Sequence, residues 1–163
     1  MSAFRICLPV ACGVLAALLL AHGGEAPFVK LSDEETRLLD LTNQERKKKE
    51  LAPLRPNPKL IKLARDHSAN MARQGKMKHD LDGKTPFDRM RDAGYHFVKG
   101  GENIAACAAK ISQPEVLQAW MESKIHRENI LQPEYTEIGI GLARDKDGQI
   151  YYTQLFAKPR DKH

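Results

Sequence analysis

Three cysteines in 163 residues leave little room for a disulfide framework. Cys7 and Cys12 fall in an apolar N-terminal run, so Cys107 alone remains once that run is removed, and the fold is expected to stand on packing. Cys107 sits in the small-residue stretch AACAAK and reads as a buried, inert thiol, not a nucleophile. Neither G-x-S-x-G nor H-E-x-x-H occurs, so no nucleophile elbow or local zinc-protease motif is complete. Internal repeats and low-complexity tracts are absent too. No base-reading motif accompanies the basic residues, and nucleic acid is not an expected partner.

What is present begins with MSAFR, an apolar run from Ile6 to Ala21, and the small, polar stretch AHGGEA. That layout predicts a secretory signal peptide over residues 1–24, followed by a linker over 25–32 and one domain over 33–160. Pro9 and Gly13 argue against a buried core helix there. The run is shorter than the about 20 residues of a membrane span and has no stop-transfer charges, so no stable transmembrane segment is expected after processing. A lipoprotein reading fails because the apolar run continues past Cys12. The chain is expected to be a monomer, secreted or at the cell envelope. Its 26 Lys and Arg against 21 Asp and Glu give a net charge of +5. The excess collects in RKKK (Arg46 to Lys49) and the tail KPRDKH, which read as solvated surface with a weak attraction to anionic cell-surface polymers.

Along the domain, Ser32 and Glu35 form a capping-box pattern opening a helix through LLDLTNQERKKKE that ends before Pro53. Asn57-Pro58 caps a second helix, whose Leu60, Ile61, Ala64, Ser68 and Met71 follow a 3.6 period up to Gly75. HDLDGKTP is a loop, and Thr85-Pro86 starts a short helix that stops at Gly94. Tyr95 to Val98 is expected to be a short strand, with Gly100-Gly101 making a tight bend before Glu102. Ser112 to Met121 is a further helix. EIGIGLAR, DKDG and QIYYTQLFA then read as an antiparallel hairpin. The fold class is α+β, with helices packed on an antiparallel sheet.

His79, Glu102 and His126 stand at loops or element ends, where a rigid scaffold presents binding groups. Two imidazoles and a carboxylate suffice as three ligands for Zn²⁺ with one open position, although their spacing is dispersed. Glu102 has a plainer reading as a cap on nearby backbone N–H groups. His67 reads as a helix-face residue and His96 as part of a strand or loop.

The ordered segments QERKKKELAPL, ARDHSANMARQGKMKHD, DGKTPFDRMRDAGY, GGENIAA, AWMESKIHRENIL, YTEIGIGLA and YYTQLF together resemble bacterial proteins of the CAP superfamily over roughly residues 36–157. These are relatives of the cysteine-rich secretory proteins, antigen 5 and the plant pathogenesis-related proteins. The resemblance implies a three-layer α/β/α sandwich with a central antiparallel sheet and a cleft lined by His and Glu. His79 matches the family's first cavity histidine and Glu102 the glutamate of its GEN motif. Ser123, His126, Glu137 and Gln154 look like the remaining cleft-side positions. Eukaryotic members carry a glutamate where this chain has Ser123 and a histidine where it has Tyr151, so half of their tetrad is missing and their zinc binding does not transfer directly.

Three readings of this set stay open. A binding module would hold an extracellular cell-wall, lipid or peptide ligand in the cleft, with Trp120 and Tyr152 either beside it or, as the plainer alternative, packed in the core. A metal-assisted protease or cell-wall hydrolase would use Glu102 as general base and a histidine as proton relay. A structural protein would use the trio as a buried polar network pinning loops together.

Overall fold

The computed structural model describes residues 29–160. The expected signal peptide, the first half of the linker, Cys7 and Cys12 lie outside the described residues. The elements are α1 (Asp33–Lys47), β1 (Arg55–Pro56), α2 (Pro58–Gln74), α3 (Pro86–Asp92), β2 (Phe97–Cys107), α4 (Gln113–Glu122), α5 (Lys124–Ile130), β3 (Glu137–Arg144) and β4 (Ile150–Pro159). Among the described residues, no helix is long and apolar enough to cross a membrane.

Local chemistry sets the helix ends. Ser32 Oγ accepts from the Glu35 N–H at 3.2 Å while Glu35 Oε2 accepts from the Ser32 N–H at 2.8 Å, the reciprocal box that starts α1. Asn57 Oδ1 takes the N–H groups of Lys59 and Leu60 at the start of α2, and Gly75 ends that helix at φ 62°. Thr85 and Asp88 repeat the box at α3.

The sheet runs β1-β3-β4-β2. The β3–β4 hairpin and the β2–β4 pair are antiparallel, whereas the two-residue β1 lies parallel to β3. The sheet is therefore mixed, not wholly antiparallel. The expected bend at Gly100-Gly101 is also corrected: both glycines lie within β2, opposite Ala157 and Phe156, and neither has a positive φ. Gly101 is small for a different reason. A Cβ there would stand 2.5 Å from Asn129 Oδ1 and 2.6 Å from the Tyr135 hydroxyl.

Alternation along β4 divides the molecule into layers. Tyr152 and Phe156 face a core shared with Leu38 of α1, Trp120 of α4 and Ile130 of α5. Leu155 and Ala157 face Leu60 and Ala64 of α2. On the α2 face, Gly139 and Gly141 of β3 let the α2 backbone at Leu60 and at Ala64–Arg65 approach so closely that no Cβ would fit. Helices on both faces of one sheet make an α/β/α sandwich.

Two long-range contacts depart from the sequence reading. Arg46, expected on a solvated basic run, is fully buried. Its guanidinium donates to the carbonyls of Ala52, Ile130, Gln132 and Tyr135 at 2.8–3.2 Å, and burial pushes its pKa down. Along β2, the Asn129 amide donates to the Glu102 carbonyl at 3.2 Å and Trp120 Nε1 donates to the Ile104 carbonyl at 3.0 Å. The short helix α5, which the sequence reading did not resolve, follows α4 with Ser123 alone between them and carries Asn129 to that position.

Candidate functional site

Glu102 lies on β2 opposite Leu155 and therefore points to the α2 face, with its side chain 2% exposed. Three elements converge on it. His79, from the loop between α2 and α3, brings Nδ1 to 2.9 Å from Oε1, and Arg89 of α3 brings Nη2 to 2.5 Å from Oε2. His67 of α2 places Nε2 3.8 Å from Oε1. Arg89 also donates through Nη1 to the carbonyls of His79 and Lys84, so one guanidinium fixes both the carboxylate and the loop that carries His79.

The carboxylate sets the tautomer of His79. Glu102 accepts, so Nδ1 carries the proton and Nε2 is the ring's free nitrogen, on a side chain 47% exposed. His67 is the opposite case. Its Nε2 lies 3.0 Å from the Lys78 carbonyl, an acceptor only, so the proton is on Nε2, and Nδ1 is buried without a partner. Burial lowers the His67 pKa against the opposing pull of Glu102. His126, half-buried on α5, has its pKa lowered first by burial and then by the neighbouring His79. The His126 carbonyl is held by the Asn103 amide at 3.1 Å.

The other expected positions are dispersed. Glu137 is on the α2 face but away from Glu102. Its Oε2 accepts from Asn57 Nδ2 at 2.8 Å and from the Tyr95 hydroxyl at 2.6 Å, clamping the start of β3 to the cap of α2. Burial and this carboxylate push the Tyr95 pKa far up. Gln154 is on the other face and fully buried, where it donates to Thr42 Oγ1 at 2.8 Å and accepts from Asn103 at 3.2 Å. Ser123 is the junction of α4 and α5, with no side-chain cap bond. Trp120 and Tyr152 are 2% and 0% exposed and belong to the core, in keeping with the plainer reading of them.

Sequence reasoning missed Arg89 and His67 as members of the Glu102 cluster. Arg89 had no local signal. His67 had one, because it neighbours the core-facing Ser68 and shares the buried side of α2, where a histidine needs partners.

The donor set does not fit a zinc ion. Among the described residues no group of three or more His, Cys, Asp or Glu is placed to hold a metal. Both Glu102 oxygens are already engaged, one of them by a guanidinium that would sit beside a dication.

Residues 39–156 match the family model described as CAP, the cysteine-rich secretory protein family. The chain is 37% identical to YkwD of Bacillus subtilis over 129 residues, 78% of this chain and 49% of that protein. The chain thus spans about half the length of that curated relative. Among solved structures, an extracellular protein containing a SCP domain from Bacillus anthracis matches with a TM-score of 0.67 and 28% identity, over 80% of this chain and 45% of that one. An outer surface protein from Borrelia burgdorferi shares the fold with a TM-score of 0.74 at 23% identity, over 81% of this chain and 97% of that one.

Proposed function

This chain belongs to the cysteine-rich secretory protein (CAP) family, and we propose that it acts outside the cytoplasm as a binding module whose ligand meets His79 and His126 beside β2. The extracytoplasmic location is supported by the likeness to an extracellular SCP-domain protein and by the leader-like run Ile6 to Ala21.

One observation carries the binding reading: Glu102 is spent. With Oε2 on Arg89, Oε1 on His79 and its side chain only 2% exposed, the carboxylate orients an imidazole and is shut away from the water it would have to activate. What the site offers a ligand is the exposed side of the His79 ring, at Nε2, and the half-buried ring of His126. Those groups suit hydrogen-bonded recognition of a cell-wall, lipid or peptide ligand. The hydrolase reading needs Glu102 as a base, and the same two contacts weigh against it. The buried carboxylate also serves stability, which is compatible with a ligand at the exposed imidazole.

Ring resonances of His79 and His126 followed during titration with peptidoglycan fragments, phospholipid vesicles and zinc chloride test the reading. A saturable shift from one of the first two, lost in His79→Ala at unchanged melting temperature, is expected. No saturable shift from any of the three would overturn it.

A further inference from the structure

The Glu102 carboxylate already has a cation. Arg89 Nη2 lies 2.5 Å from Oε2, while Nη1 donates to the carbonyls of His79 at 2.8 Å and Lys84 at 3.2 Å. Among the described residues no other Lys or Arg stands within 4.0 Å of that carboxylate, whose remaining charged or titratable neighbours are the rings of His79 and His67. Two imidazoles and a carboxylate are residue types that zinc takes. The guanidinium is the one group there that it does not.

That group is also hard to displace. Metal binding drives protons off its ligands, which an imidazole can give up and a guanidinium, with a pKa above about 12, cannot. Arg89 would have to leave bodily, and in leaving it would drop two carbonyls of the loop between α2 and α3. The start of α3 holds it in place: the Arg89 N–H donates to the Thr85 carbonyl at 3.1 Å, and Thr85 is locked to Asp88 by the capping box.

We propose that Arg89 is a built-in cation that keeps divalent metal ions off Glu102, so that this one side chain decides whether the site takes a metal. A small neutral residue in its place frees Oε2 and strands a buried charge, which a zinc ion then neutralises. The inference stands whether or not a ligand meets His79 and His126.

The experiment is calorimetric titration of the full chain with zinc chloride, beside thermal melts with and without the metal. In wild type, zinc is expected to leave the Glu102 carboxyl carbon resonance where it is. Arg89→Ala gains a one-to-one site at least about tenfold tighter than any in wild type, and zinc raises its melting temperature more than that of wild type. Both gains are lost when Glu102→Gln is added, which separates them from zinc held by histidines elsewhere. Arg89→Lys, which keeps a charge beside the carboxylate, gains no site. Arg89→Gln replaces the alanine variant if that does not fold. Saturable zinc binding in wild type that moves the Glu102 resonance overturns the proposal, and needs no variant to fold. So does a folded Arg89→Ala or Arg89→Gln that gains no site, since burial alone would then exclude the metal, or an Arg89→Lys that gains one.

Discussion

Arg89 and Glu102 meet at 2.5 Å with 13% and 2% of their side chains exposed, and together they hold His79, Glu102 by its ring and Arg89 by its carbonyl. Removing one side leaves a charge in a place built for two. Arg89→Met and Glu102→Gln are each expected to lower stability by about 3 kcal/mol. The double variant should cost less than the sum of the two, because it removes the stranded charge as well as the contact. Urea unfolding of the four proteins measures this, and strict additivity would mean that the pair is not coupled.

The two histidines with lowered pKa values set a pH limit. Their folded values lie below the ordinary value of about 6.5, so below that pH the unfolded chain binds protons that the folded chain refuses. Their contribution is complete above about pH 6.5 and is lost as pH falls from there through the folded values. The urea midpoint is expected to fall between pH 7 and 5, with a flatter profile in His126→Gln. Asp88, whose bonds to Thr85 hold its pKa at about 2, keeps its contribution until pH falls through the carboxylate range, so the two losses are separable by pH.

Gly141 of β3 is expected to tolerate no side chain. A Cβ there meets the backbone of α2 at Ala64–Arg65, which cannot move without the rest of the helix. Gly141→Ala should cost at least about 1–3 kcal/mol, as overpacking does. Gly148, open on all sides at φ 81°, should cost less on the same substitution. Thermal melts of the two variants give the comparison.

Arg46 holds four carbonyls, one after α1 and three from the end of α5 and the loop beyond it, without a carboxylate partner. Arg46→Met strands those acceptors, and a loss of more than about 4 kcal/mol is expected. Arg46→Lys restores the charge but not the fork, so it should remain strongly destabilised. A lysine variant with wild-type melting would show that charge alone matters there.

Local chemistry was legible in this sequence, and long-range partnership was not. Ser32, Asn57 and Thr85 announced three helix starts, because a cap and its target lie within three residues of each other. The hairpin of β3 and β4 was likewise written in its alternation and its DKDG turn. Arg46 misled because three of its four carbonyls come from residues 130–135, far along the chain, and nothing in RKKK distinguishes it from Lys47 to Lys49. Gly100-Gly101 misled because the reason for a glycine there is a neighbour, Asn129, that arrives from a later helix. For the site, motif similarity brought out His79 and Glu102, which do meet. Arg89 and His67 join them through contacts across 13 and 35 residues that no spacing rule encodes.

The two donors on β2 bear on what the edge of the sheet can pair with. Asn129 and Trp120 occupy the carbonyls of Glu102 and Ile104 on the terminal strand of the sheet, positions that would otherwise pair with the same strand of another molecule. The short helix that brings Asn129 into place is, on this view, a guard against templated self-assembly.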